Sequence, residues 1–328
     1  MARILVTHGV PGERFRRLHP NEVLIPQAGL AYSRDELLAL LPTCDAVVAC
    51  GAMDGALMHA ARNTKLIVCY GAGYDSLDIA AATAQRIPVA NVPDSVTETT
   101  AELAMAHILA LTRRVCELDR YLRAEGSTRA QFTMGRSMGV LLTGCTLGIV
   151  GMGRIGARVA AFGRFLGMRV VYHSRSIKPF SLTGNARRLP LHELLRAADV
   201  VSLHCPYAPQ TDRLIGAAEL ALMRPTAVLV NTSRGKLIDE VALIDALEAG
   251  RLAGAALDVF ATEPEVNPRL KTLPNVVLTP HIGSNTLRTR NQMAEQCCDS
   301  ILEALAGREP LNLLNPAVWG LARMPQEP

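Results

Sequence analysis

Three residues stand where carbonyl chemistry could use them. Arg234 lies in Asn231-Thr232-Ser233-Arg234-Gly235, Glu263 in Asp258-Val259-Phe260-Ala261-Thr262-Glu263-Pro264, and His281 in Thr279-Pro280-His281-Ile282-Gly283-Ser284. When a hydride reaches a carbonyl carbon, the oxygen becomes an alkoxide. A protonated histidine can give that oxygen its proton and offset the growing charge. A neighbouring carboxylate favours the imidazolium and fixes the ring. A guanidinium can hold a 2-oxo acid by its carboxylate. Taken singly, Arg234 reads as a solvated helix start, Glu263 as a loop charge and His281 as a satisfied core histidine. Their shared placement argues otherwise. Each follows a short apolar run, and in an open α/β sheet ligands bind beyond the carboxyl ends of the strands.

A second constellation supplies the other half of such a reaction. Leu147-Gly148-Ile149-Val150 breaks into Gly151-Met152-Gly153-Arg154-Ile155-Gly156, and a helix-period stretch follows. This is G-x-G-x-x-G between a strand and a helix, the context that a dinucleotide requires. Gly151 allows the turn, Gly153 lets backbone approach a pyrophosphate, and Gly156 lets the helix lie on the strand. The helix N-terminus then offers free N–H groups to the phosphates. The next strand candidate, Arg169–His173, ends in Ser174-Arg175-Ser176-Ile177-Lys178 without the acid that would hold ribose hydroxyls in an NAD binder. A carboxylate would repel a 2′-phosphate, whereas Arg175 can grip it, with Ser174 and Ser176 beside it. NADPH/NADP+ is therefore the expected cofactor, with NADH the alternative; a solvated basic loop is the plain alternative for the segment itself.

The chain has 328 residues, 49% of them hydrophobic and 20% charged, which describes an ordinary globular protein of two domains. A net charge of +4 without a dense basic tract gives no footprint for nucleic acid. The apolar stretch around Leu103–Leu111 is too short to span a bilayer, and the N-terminal run reads as a strand rather than a signal peptide. Eight cysteines, with no C-x-x-C pair, fit neither a disulfide frame nor a zinc site. They imply a reducing cytoplasm, mostly buried thiols and no metal centre.

The elements that must position these groups alternate. Strand candidates fall at Ile4–Thr7, Glu22–Ile25, Ala46–Cys50, Leu66–Tyr70 and Val89–Asn91, with helices starting at Ser33-Arg34-Asp35-Glu36, at Asp54 and at Leu77. Further strands are expected at Val200–His204, Ala227–Val230, Leu252–Leu257 and Val276–Leu278, with helices at His192–Ala197, Ala217–Met223, Asp239–Ala249 and Thr286–Ala306. Alternating β and α predicts open parallel sheets covered on both faces. Ser95 to about Arg123 reads as one long helix joining the two halves, with a hinge near Asp94. Ala124–Leu142, holding Gly126, Ser127, Gly135 and Gly139, reads as a loop, and Leu311–Pro328 has little periodicity. In the first half, Gly71-Ala72-Gly73-Tyr74-Asp75 follows a strand. It is either a tight turn or a nest of N–H groups for a carboxylate.

Taken in order, these segments resemble the D-isomer-specific 2-hydroxyacid dehydrogenase family over nearly the whole chain. Asn91-Val92-Pro93 and Leu203-His204-Cys205-Pro206 add to the match. The resemblance implies a catalytic trio at Arg234, Glu263 and His281. It implies cofactor contacts at Thr97, Arg154, Ile155, Cys205, Thr232 and Asp258. With Gly151, Gly153 and Gly156 of the glycine turn, Ser174, Arg175 and Ser176 of the basic segment, and Gly283, these make up the candidate cofactor site. Substrate contacts fall at Ala72, Gly73, Arg234, His281 and Ser284. The implied fold is α/β: two doubly wound parallel-sheet domains, a Rossmann cofactor domain at 95–284 and a flavodoxin-like substrate domain, 1–94 with 285–328, and a cleft between. A homodimer is implied as well. The chain departs from the family at Ser174-Arg175, where many members carry Asp; the departure resembles NADPH-using glyoxylate/hydroxypyruvate reductases. It also has Cys145 where Lys is frequent, and no Trp in the 126–139 loop.

The expectation is a cytoplasmic enzyme that reduces a small 2-oxo acid to the D-2-hydroxy acid with NADPH, closing over its substrate about the hinge. The alternatives are an NAD-linked dehydrogenase for a larger acid, such as a phosphoglycerate or a sugar acid, a dinucleotide-sensing corepressor-like protein, and a methyltransferase with a similar glycine loop. Loops near Gly51–Asp54 and Ser284–Arg288, together with the partner subunit of a homodimer, would select the substrate side chain.

Overall fold

Most of the apolar runs become strands that are buried on both faces, as parallel sheets covered by helices require. The structure, a computed structural model, describes residues 1–10, 13–124 and 133–321. Gly126 and Ser127 of the expected loop and the last residues of the tail lie outside them. The chain divides into two units, Met1–Val96 with Ser284–Pro328, and Thr97–Gly283.

In the first unit, β1 (Arg3–Val6), β2 (Glu22–Leu24), β3 (Ala46–Ala49), β4 (Leu66–Cys69) and β5 (Val89–Asn91) pair in parallel in the order β2-β1-β3-β4-β5. Side chains alternate between the faces. Ile4, Val6, Val48, Leu66 and Val68 join one apolar cluster, and Leu5, Val47, Ile67 and Cys69 join the other. The helices α1 (Arg34–Leu40), α2 (Gly55–Ala60) and α3 (Ile79–Ala84) contribute to the second cluster. Capping residues set where they start. Ser33 and Glu36 form a reciprocal capping box, and Asp54 and Asp78 accept first-turn N–H groups of α2 and α3. Leu77, the expected start of α3, thus lies just outside it.

The second unit begins with α4 (Thr97–Thr112) and α5 (Val115–Arg123). The single helix expected from 95 to 123 is broken here. Val140 N donates to the Thr112 carbonyl, and Arg114 turns the chain with φ 56°. The whole of α5 buries no residue, so no core contact forces it to continue α4. Then come β6 (Thr146–Val150), α6 (Arg154–Phe165), β7 (Arg169–His173), α7 (Phe180–Thr183), β8 (Arg187–Arg188), α8 (Leu191–Ala197), β9 (Val200–Leu203), α9 (Ala217–Leu222), β10 (Val228–Asn231), α10 (Glu240–Glu248), β11 (Gly254–Leu257), α11 (Pro268–Thr272) and β12 (Val276–Leu278). The strands form a parallel sheet in the order β12-β11-β10-β9-β6-β7-β8. The order reverses between the paired strands β6 and β9, which makes the carboxyl end of that pair the topological switch point.

Three elements were not visible as patterns. The strand β8 has only two exposed residues, and α7 and α11 are single turns. The tail also has a role that its composition hides. Leu314 N donates to Val89 O, and the buried Asn315 side chain accepts from Val89 N and donates to Ile87 O. It covers the edge that β5 would otherwise expose. Before it, α12 (Leu287–Leu305) returns the chain to the first unit, burying Met293, Cys297, Cys298 and Ile301 in that unit's core. Of the eight free cysteines, four are buried and four only partly, so the thiols are less uniformly buried than expected.

Candidate active site

In the second unit the three stations stand at the ends of neighbouring strands, β10, β11 and β12. The turn after β10 is built by buried Asn231. Its Nδ2 donates to Arg234 O at 2.8 Å, and its Oδ1 accepts from Ser233 N at 3.0 Å. A side chain at Gly235 would put its Cβ 1.9 Å from the Phe260 carbonyl carbon, so only glycine lets this turn lie against the next station. In that station Glu263 Oε1 accepts from Phe260 N at 2.9 Å, and Oε2 lies 2.7 Å from His281 Nδ1. Burial by itself would raise the Glu263 carboxyl. The His281 hydrogen bond, the Phe260 N–H and the charges of His281 and Arg234 outweigh it and hold the carboxyl below its ordinary value. With that carboxylate ionised, Nδ1–H is the donor, and Nε2 has no partner among the described residues. Arg234, half-buried, donates through Nη1 to Ser233 O at 2.7 Å.

His281 has φ 52°, a left-handed conformation that is uncommon outside glycine. Asp258 holds it there. The Asp258 carbonyl accepts from His281 N at 2.8 Å, and its carboxylate takes Thr279 Oγ1 at 2.6 Å, Ile282 N at 2.8 Å and Gly283 N at 2.9 Å. The carbonyl of Gly283 accepts from Thr100 Oγ1. Asp258 and Gly283, expected as cofactor contacts, are thus engaged within the protein as supports of the histidine turn. Sequence reasoning missed His107 of α4. This buried residue lies 3.1 Å through Nε2 from Thr279 Oγ1 and so backs the same turn. An i+3 and i+4 apolar pattern around it reads as plain core, and only the fold brings it within reach of residue 279.

The switch point carries the glycine turn. Gly151 has φ 102°, and a Cβ on it would meet Cys205 N at 2.4 Å. A Cβ on Gly156 would meet Gly151 O at 2.2 Å. Around Gly153 a Cβ would meet nothing within 4 Å, and its backbone angles suit any residue. The first two glycines are required by the protein; the third keeps clear a space that the protein does not fill. No side chain caps α6, whose first turn holds Arg154, Ile155 and Gly156. The hydroxyls of Thr97 and Thr232 are buried without a partner among the described residues. Orphaned donors, an uncapped helix and a cleared glycine face together fit a dinucleotide.

The turn after β7 is closed on itself. Ser174 is buried, and its Oγ donates to Ser176 O at 2.7 Å, so its oxygen remains as an acceptor. An acceptor suits a ribose hydroxyl and not a phosphate. Arg175 and Ser176 are exposed. The thiol of Cys205, pushed up to about 11 by burial, feels the charge of Arg175.

In the first unit, the loop after β4 turns its carbonyls inward. Gly71 O accepts from Val92 N, Ala72 O from Asn91 Nδ2 at 2.8 Å, and Gly73 O from Cys69 Sγ at 3.3 Å. Among the described residues no partner stands against the N–H groups of Ala72 and Gly73. The same unit holds Ser284, whose carbonyl accepts from Thr286 N.

Comparison with known proteins agrees with this architecture. Residues 105–283 match the model for the NAD-binding domain of D-isomer-specific 2-hydroxyacid dehydrogenases. A glyoxylate reductase of Korarchaeum cryptofilum is 39% identical over 322 residues, 96% of each chain. The crystal structure of a glyoxylate reductase from Paecilomyes thermophila superposes with a TM-score of 0.87 at 31% identity, covering 96% of this chain and 99% of that one. That of an NADPH-dependent glyoxylate/hydroxypyruvate reductase from Sinorhizobium meliloti, in complex with NADP and malonate, does so with a TM-score of 0.86 at 29% identity, covering 99% of each. A parallel sheet with a dinucleotide turn at its switch point, a second parallel-sheet unit and relatives of this kind along nearly its full length make the chain a member of the D-isomer-specific 2-hydroxyacid dehydrogenase family, an NAD(P)-dependent oxidoreductase.

Proposed function

We propose that the protein reduces a small 2-oxo acid of the glyoxylate or hydroxypyruvate type with NADPH, giving the D-2-hydroxy acid where the product is chiral. The observation that carries the reading is the 2.7 Å contact between Glu263 and His281, with Arg234 on the next strand end. When bound, the dinucleotide supplies the hydride. First-turn N–H groups of α6 would hold its pyrophosphate, Thr97 and Thr232 would satisfy their orphaned hydroxyls on it, and Ser174 would accept from a ribose hydroxyl. His281 gives its Nε2 proton to the substrate oxygen as charge builds there. Glu263 accepts a hydrogen bond from Nδ1–H, which fixes the ring and balances the imidazolium. Arg234 pairs with the substrate carboxylate. In the first unit, the two N–H groups of Ala72 and Gly73 that lack a partner among the described residues form a nest suited to an anion.

NADPH is favoured over NADH because the turn after β7 holds Arg175 and no acid. The relatives named glyoxylate reductase support the substrate class. We take the enzyme to be cytoplasmic and a homodimer; light scattering on the purified protein checks the homodimer. A 2-oxo acid panel with each cofactor tests the function. Glyoxylate and hydroxypyruvate should be turned over with NADPH, and Arg175→Ala should raise the NADPH KM while leaving that of NADH in place. No turnover of any 2-oxo acid would overturn the reading; an unchanged NADPH KM would remove Arg175 from it.

A further inference from the structure

Neither spacing nor resemblance singles out Arg188. It stands on β8, at the outer edge of the seven-stranded sheet. Its guanidinium reaches back to the turn after β7. Nε and Nη2 donate to Ser174 O at 3.1 and 2.9 Å, and Nη2 also donates to Arg175 O at 3.1 Å. The next carbonyl, Ser176 O, is taken by Ser174 Oγ. Three successive carbonyls are therefore held from within. The N–H groups of Arg175 and Ser176 have no partner among the described residues. Peptide N–H groups left over side by side form a concavity that suits an anion.

We propose that Arg188 is a positioning residue for cofactor choice. By gripping the Ser174 and Arg175 carbonyls it sets the turn so that two N–H groups and the Arg175 guanidinium serve one 2′-phosphate. This rests on the NADPH reading above and adds the residue that builds the phosphate seat. The grip needs a planar fork with donors on more than one nitrogen. A lysine keeps the charge but is a single point donor on a flexible stem. Loss of the fork should be felt by the 2′-phosphate and not by the rest of the adenosine.

Calorimetric titration of the full-length protein with adenosine 2′,5′-bisphosphate and with 5′-AMP tests this, using wild type, Arg188→Ala, Arg188→Lys and Arg175→Ala. The 2′-phosphate should strengthen binding to wild type. Arg188→Ala should lower that advantage on the order of tenfold, the scale of losing charged hydrogen bonds. Its affinity for 5′-AMP and its melting temperature should be unchanged, and Arg188→Lys should restore little. The proposal is overturned by equal weakening of both ligands, by an intact 2′-phosphate advantage in Arg188→Ala, or by full rescue with lysine. A wild type that binds the two ligands alike overturns the NADPH reading, and the inference with it. That result differs from the others because it involves no variant.

Discussion

His281 is held in a conformation that costs an ordinary residue about 1–3 kcal/mol, and such strain persists only where the surroundings over-determine it. Here Asp258 supplies the constraint through its carbonyl and carboxylate, and His107 of α4 and Thr279, just past β12, back it. On the proposed reading, a residue placed so firmly, with one nitrogen spent on Glu263, uses its other nitrogen on the substrate oxygen. Replacing His281 by Ala should therefore lower kcat for 2-oxo acid reduction by about 10²–10⁴-fold, the usual worth of a general acid. Binding of NADPH, followed by its fluorescence, should be unchanged; comparable losses in both would make His281 structural. Glu263 is ionised to a lower pH than an ordinary carboxyl, despite burial that acts the other way, because His281, the Phe260 N–H and Arg234 favour its charge. Its contribution is lost only as pH falls through that lowered value. A pH–kcat profile should accordingly show no acid limb above the normal glutamate range near about 4.3.

At the scale of elements, the glycine turn separates what the protein needs from what a ligand needs. Gly156 lets α6 approach β6, since a Cβ there would overlap the Gly151 carbonyl. Gly153 has no such neighbour. Gly156→Ala should thus lower the melting temperature, with the overpacking cost of about 1–3 kcal/mol, and weaken cofactor binding as well. Gly153→Ala should weaken cofactor binding alone. Paired melting curves and cofactor titrations check this, and a Gly153→Ala variant that melts early but binds normally would contradict it. The break between α4 and α5 makes a related point. Apolar periodicity continued through Arg113 and Arg114, yet the crossing chain at Val140 ended α4.

The whole molecule carries two parallel sheets of different strand order, and the candidate site residues of each lie past strand ends. One consequence concerns pH and global stability. The His204 imidazole is desolvated, although the residue as a whole is only half-buried, and its value is lowered to about 3. An unfolded chain would protonate it near about 6.5. Between those values the unfolded state binds a proton that the folded state refuses, so stability rises with pH across the window, by at most about 1.4 kcal/mol per unit. Buried His107, lowered for the same reason, adds in the same sense. Urea titrations from pH 6.5 down to about 4 should show falling stability, and His204→Asn should flatten the slope. An identical slope in the variant would mean that other groups set it. No helix among the described residues is long and apolar enough to cross a membrane.

The chain's own order of residues determined the strands, because parallel strands buried on both faces must be continuous apolar runs, and it placed Arg234, Glu263 and His281 just past three of them. It also determined the dinucleotide turn, since glycine is read directly where a Cβ is forbidden. Other features were settled only by folding. The sequence shows Asp258 and His281 twenty-three positions apart, but only the pairing of β11 with β12, which sets their carboxyl ends side by side, reveals that one holds the other. The two-residue strand β8 has no pattern to read, so Arg188 acquires a partner only when the sheet brings it beside Ser174. The tail at Asn315 has no periodicity, and its place on β5 depends on where α12 delivers it. Local sequence carries periodicity, capping and backbone freedom; which distant donor meets which carbonyl is a property of the packed sheet.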